Sequence, residues 1–183
     1  MTTYISILRG INVSGQKIIK MDALRKVYEN IGLKNVTSYV QSGNVVFTAT
    51  TIDANKLELM ISAEIKKGFG FDVPVIVLPV AKLKEVIENN PFLKDRNKDT
   101  SFVYVTFLAS KPDPYNAQTV EDKKGTGEEI FFTDNAVYVY CPGGYGRTKL
   151  TNNFIEKKLN VGATTRNWKT TNELLKIAHQ ISK

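Results

Sequence analysis

A chain of 183 residues with one cysteine, one histidine and one tryptophan leaves little room for several common chemistries. The lone thiol, Cys141, cannot close an intramolecular disulfide, which points to a reducing compartment. No cluster of cysteines and histidines exists, so no structural zinc site or other metal site is expected. A Ser-His-Asp or Cys-His triad would have to be built on His179, and nothing near it in sequence suggests a nucleophile. No G-x-G-x-x-G follows a strand, so a Rossmann cofactor site is unsupported and no cofactor is expected. No run approaches the roughly 18 apolar residues of a membrane span. The opening stretch Met1–Arg9 lacks the basic flank and long apolar core of a secretory signal. These absences point to a cytoplasmic protein with no membrane partner.

What is present is an ordinary globular composition, 42% hydrophobic, sufficient to bury a core. The charge is uneven. From Gly143 to Lys183 there are eight cations (Arg147, Lys149, Lys157, Lys158, Arg166, Lys169, Lys176, Lys183) against Glu156 and Glu173, a net +6 of the chain's +7. A basic quarter of this kind favours anionic partners, or is a solvated lysine face that aids solubility.

The hydrophobic pattern repeats. In the first half, Tyr4–Leu8 reads as a strand, and Met21, Leu24, Val27, Tyr28 and Ile31 fall at helical spacing. Val36–Gln41 and Asn44–Thr48 form a hairpin around Ser42-Gly43. Leu57, Met60, Ile61 and Ile65 share a helical face behind Asp53 as N-cap, and Pro74–Leu78 is a buried strand. A short helix with Leu83, Val86 and Ile87, then a polar connector to Thr100, lead into the second half. There Phe102–Leu108 is a strand and Pro112–Lys124 a loop or weak helix. Glu129–Thr133 and Ala136–Tyr140 are a hairpin around Asp134-Asn135. Asn152–Leu159 is a helix and Val161–Thr165 a last strand. A closing helix carries Leu174, Leu175, Ala178 and Ile181, with Thr170-x-x-Glu173 as a capping box. Each half reads strand, helix, hairpin, helix, strand. The expected fold is α+β: two tandem ferredoxin-like (β-α-β-β-α-β) sandwiches with antiparallel sheets. Residues 1–80 form the first, 81–100 a helix and connector, and 101–183 the second with the C-terminal helix.

Leu8-Arg9-Gly10-Ile11-Asn12-Val13, Tyr39-Val40-Gln41-Ser42-Gly43-Asn44-Val45-Val46-Phe47, Asn90-Pro91-Phe92 and Thr164-Thr165-Arg166-Asn167-Trp168 together resemble the bacterial family called domain of unknown function 1697. The departures are small: Ser14-Gly15 stands in place of paired glycines, and Lys169 where an Asn is common. The resemblance implies two ferredoxin-like subdomains and supplies no activity.

Four stretches could hold an anion. Arg9 offers a planar fork of donors and Asn12 closes the same motif, with Gly10 allowing close approach of a ligand. Ser42 and Asn44 flank Gly43 in a turn whose backbone N–H groups could face an anion, although the turn alone explains them. In Gly143–Lys149 three glycines, Tyr145 and Lys149 precede a helix; the spacing is not that of a P-loop. The family's Tyr-Gly-x-Ser/Thr-Lys pattern falls on Tyr145, Gly146, Thr148 and Lys149. Arg166 and Asn167 precede the closing helix, with Trp168 expected as a core anchor. Lys67-Gly68-Phe69-Gly70-Phe71 starts like an RNA-recognition signature, but Asp72 and Pro74 break it, and it reads as a helix cap.

The expected function is binding of a small phosphate- or carboxylate-bearing ligand, a nucleotide being one candidate. Arg9, Asn12, Ser42, Asn44, Tyr145, Lys149, Arg166 and Asn167 would converge on it between the subdomains. No residue is singled out as catalytic; were there chemistry, Tyr145 would be the general acid and Lys149 the electrostatic stabiliser. The alternatives are nucleic-acid binding through the basic quarter, and a protein-interaction module without catalysis.

Overall fold

The computed structural model describes residues 1–50, 53–115 and 117–182. The chain divides into two compact units, Met1–Glu85 with Asn172–Lys183, and Val86–Thr171.

The first unit contains β1 (Thr2–Leu8), α1 (Met21–Asn30), β2 (Lys34–Tyr39), β3 (Asn44–Ala49), α2 (Ala54–Phe69) and β4 (Val75–Pro79). The strands form one antiparallel sheet in the order β2-β3-β1-β4. Alternation places Tyr4, Leu8, Val45, Phe47, Val75 and Val77 on one face. There they pack with Leu24, Val27 and Tyr28 of α1 and Leu57, Ile61 and Ile65 of α2. Phe47 stacks on Tyr4 and meets Tyr28 edge-on, at centroid distances of 5.9 and 5.4 Å. The Tyr28 hydroxyl, buried in this core, is matched by Ser6 Oγ at 2.7 Å, and burial pushes its pKa up. Asp53 caps α2, its Oδ1 accepting from the backbone N–H of Asn55 at 2.9 Å. Gly70 ends that helix in the left-handed conformation, so the glycine-aromatic run before Asp72 is a helix cap. The first hairpin turns through four residues, Val40 to Gly43, rather than through Ser42-Gly43 alone, because Tyr39 and Asn44 are the last pair of the ladder.

A further helix, α3 (Val80–Glu88), leads to the second unit: β5 (Val103–Leu108), α4 (Gln118–Glu121), β6 (Glu129–Phe132), β7 (Ala136–Tyr140), α5 (Asn152–Leu159) and β8 (Ala163–Asn167). Its antiparallel sheet runs β6-β7-β5-β8. Val120 of α4 and Ile155 and Leu159 of α5 pack on Leu108, Val137, Val139 and Ala163. The expected weak helix within Pro112–Lys124 is a single turn, and Asn116 in that stretch lies outside the described residues. Asp134-Asn135 turn the second hairpin, closed by the Thr133 N–H on the Ala136 carbonyl at 2.9 Å.

The closing helix, α6 (Trp168–Ile181), begins earlier than the Thr170-x-x-Glu173 pattern suggested. Asn167 is its cap: Oδ1 accepts from the Thr170 N–H at 2.8 Å, which puts Thr170 inside the first turn. Trp168 thereby stands at the start of the helix, only partly buried. From Asn172 onward α6 belongs with the first unit, where Ser182 Oγ lies 2.8 Å from Thr3 Oγ1. The boundaries read from the sequence kept the whole helix with the second half. Among the described residues no helix is long and apolar enough to cross a membrane.

Candidate functional site

In the first unit the loop after β1 and the β2–β3 turn are joined by one side chain. The Asn12 amide donates to the carbonyls of Ile19 (2.9 Å) and Gln41 (2.8 Å), while Oδ1 accepts from the Ile19 N–H (2.8 Å). Both amide hydrogens are therefore committed to the backbone. Asn44 is fully buried and donates to the Tyr39 carbonyl (3.1 Å) and to Ser42 Oγ (2.9 Å), closing the turn from within. Arg9, partly exposed, leaves the end of β1 with its N–H on the Pro74 carbonyl at 2.9 Å. Folding thus brings Asn12, Ser42 and Asn44 into one cluster. The groups that the sequence offered as ligand donors serve there to tie two loops together.

The second unit holds a polar cluster on the helix-covered face of its sheet. Thr165 on β8 is the hub: its hydroxyl donates to Asn152 Oδ1 (2.9 Å), lies 2.8 Å from Thr106 Oγ1, and accepts from the Tyr145 hydroxyl at 3.3 Å. Tyr145 packs against Tyr104 at 4.6 Å between centroids, the rings tilted by 30°. Burial raises the pKa of Tyr145 above the ordinary phenol value, which the hydrogen bond to Thr165 only partly offsets. Asn167, next along β8, is engaged as the α6 cap. Lys149 is exposed, two residues ahead of Thr151, which caps α5. Thr106 and Asn152 were not singled out in the sequence, and Thr165 only as part of the Thr164–Trp168 motif. Strand alternation was the available signal, since it puts Thr165 and Arg166 on opposite faces.

Arg166 differs from the other candidates. It pairs with Val105 in the β5–β8 ladder and so shares the sheet face that Val105 and Tyr138 occupy, opposite α4 and α5. Its guanidinium donates to a neutral group, the Thr165 carbonyl, at 2.9 Å. The side chain keeps some accessible surface, yet burial pulls its pKa down to about 10.

Cys141 is buried, and its thiol is pushed up to about 11 by desolvation, which the nearby Thr148 side chain only partly offsets. The folded protein should resist iodoacetamide at mildly alkaline pH and react only on unfolding, as mass spectrometry with and without denaturant would show. Because the raised value makes the folded state hold the proton more tightly, this group's stabilising contribution is complete below about pH 9. It is lost as pH climbs toward about 11. Among the described residues no group of three or more His, Cys, Asp or Glu side chains could hold a metal ion.

No curated protein matches the chain. A solved structure does: that of a conserved bacterial protein from Streptococcus pneumoniae, 23% identical, superposes with a TM-score of 0.71 over 97% of this chain and 98% of its own. At that identity the likeness speaks for a common fold. A family profile matches residues 1–138, which include β1, the Asn12 loop and the Gln41–Asn44 turn. The chain belongs to the family of proteins of unknown function designated DUF1697.

Proposed function

We propose that the chain binds a small anion, phosphate- or carboxylate-bearing, with Arg166 as its principal contact. The observation that carries this reading is the place of that guanidinium on β8: on the sheet face shared with Val105 and Tyr138, desolvated, in a residue that keeps some accessible surface. Arg9 and Lys149 are the other candidate cations. Asn12, Ser42, Asn44, Tyr145 and Asn167 support the backbone in this reading rather than the ligand. Calorimetric titration at low salt with inorganic phosphate, pyrophosphate, citrate and nucleoside monophosphates tests it. A charge-assisted hydrogen bond contributes roughly 1.5–3 kcal/mol, so Arg166→Gln should weaken the best ligand about ten- to a hundredfold. Equal affinity of wild type and Arg166→Gln would end the proposal, as would the failure of every anion in the panel to bind.

A second reading, nucleic-acid binding, has the exposure of Arg147, Lys149, Lys157, Lys158 and Lys169 in its favour. Against it stands the burial of every residue of β3, and of β1 from Thr3 to Leu8. Successive residues face opposite ways, so both faces of these strands are covered and offer no platform for stacked bases. Oligonucleotide affinity that falls roughly a thousandfold between 50 and 200 mM salt would favour this reading over the first.

We also read the two units as tandem ferredoxin-like sandwiches. What supports this is the strand order, in which the first strand of each unit lies between the third and the fourth, with every pairing antiparallel.

A further inference from the structure

The Asn12 clamp has three ends, and each bears an exposed apolar neighbour. Val13 follows Asn12, Ile18 precedes Ile19, and Val40 precedes Gln41. Their exposures are 57%, 59% and 51%. Consecutive Cα atoms are about 3.8 Å apart, so hydrogen bonds from one carboxamide to Ile19 and Gln41 keep the backbones of these three residues close together. The backbone beneath them is fixed in an unusual shape. Asn12, Ser14, Lys17 and Val40 all have positive φ, 54°, 50°, 46° and 49°. For a β-branched residue such as Val40 that conformation is an outlier costing on the order of 1–3 kcal/mol. The loop closes on itself through the Asn12 N–H on the Lys17 carbonyl (3.2 Å) and the Gln16 N–H on the Val13 carbonyl (2.9 Å).

The electrostatics around this patch are one-sided. Residues 1–21 contain Arg9, Lys17 and Lys20 and no Asp or Glu, and residues 35–52, which include the turn, carry no charged side chain. Two acids beside these lysines are already matched: Asp22, two residues from Lys20, pairs with Arg25, and Asp72, whose carbonyl holds Lys17, pairs with Lys66 at 3.0 Å. Lys17 Nζ is held at the rim by the Asp72 backbone carbonyl, 2.6 Å away, and Lys20 is exposed.

We infer that this apolar, basic-rimmed loop pair is the docking surface for a partner protein, which it recognises through an acidic segment bearing apolar side chains. Charge complementarity selects the acid, and Val13, Ile18 and Val40 supply the desolvated centre. A pre-shaped backbone lowers the ordering cost of binding a partner of defined shape. A fluid lipid surface gains nothing from such shape, and the exposed apolar side chains of the patch are aliphatic, Tyr39 beside Val40 being half-buried. Aliphatic side chains offer bases little to stack on. This surface is independent of Arg166, so failure of the anion reading leaves it standing.

Panning a random peptide library against the full chain tests the assignment. Enriched peptides should be acidic with apolar residues, and should shift the backbone amide resonances of the 12–19 and 39–43 segments. The double variant Ile18→Lys with Val40→Asn should bind them at least tenfold more weakly. Asn tolerates left-handed backbone better than Val. Val40→Asn alone should therefore melt no earlier than wild type, which separates loss of the surface from loss of the fold. The inference fails if no peptide is enriched, or if the enriched peptides bind the double variant equally well. It also fails if anionic vesicles or oligonucleotides, and not peptides, perturb these segments.

Discussion

Gly43→Ala should be among the most damaging single-methyl changes in the protein, lowering stability by about 2–5 kcal/mol. Two effects combine. The residue sits at φ +78°, where a side chain is strained, and an added Cβ would stand 2.6 Å from Leu8 Cβ and 2.9 Å from Ile11 Cδ1. Neither neighbour is free to retreat. Leu8 is fully buried, with its N–H on the Gly43 carbonyl at 2.8 Å, and Ile11 is buried under the same turn. Gly10→Ala is the control. At φ +70° it carries a similar backbone penalty, but a Cβ there meets nothing within 4 Å, so the loss should be only about 1 kcal/mol. Denaturant midpoints of the two variants measure the difference. Equal losses would show that the turn yields and that the close approach to Leu8 contributes nothing.

Thr165→Val should cost about 2–4 kcal/mol despite near-identical size. The substitution removes the hydroxyl that Asn152, Thr106 and Tyr145 all address. Each buried polar group left without a partner carries a penalty of roughly 1–3 kcal/mol. The cost should come out below the simple total, because Asn152 still donates from its amide to the Ala163 carbonyl at 3.0 Å and holds the start of α5 in place. Thr165→Ser keeps the hydroxyl and should recover most of the stability. The near-ultraviolet circular dichroism of the Tyr104–Tyr145 pair should weaken in the Val variant and persist in the Ser variant. If Val is tolerated as well as Ser, the network is not a source of stability.

The same residues show what could be read without a structure. Leu57, Ile61 and Ile65, spaced by four, had to share a helical face, and Asp53 before them had to cap it, since both follow from backbone geometry a few residues long. Tyr4–Leu8 and Ala136–Tyr140 were legible as strands for the same local reason. The capping box at Thr170 was a misreading of equally local signals: the ladder between β5 and β8 runs to Asn167, and it is Asn167 that caps the helix. The candidate ligand residues were harder. Arg9, Asn12, Ser42, Asn44, Tyr145, Lys149, Arg166 and Asn167 are all polar residues at turns and strand ends. In sequence a side chain that will clasp its own backbone looks the same as one that will face a ligand.

Periodicity, turn chemistry and charge count by themselves determined the element order, the α+β class, the uneven charge and the absence of a Cys/His metal set. Those properties depend on neighbours within a turn of helix or a pleat of strand. Only the tertiary structure decided that the Asn12 carboxamide reaches Gln41, 29 positions away. It also decided that Thr165 meets Thr106, 59 positions away, and that burial lowers the pKa of Arg166. Hydrogen-bond partnership and desolvation are set by which distant segments surround a group, and no local pattern encodes that.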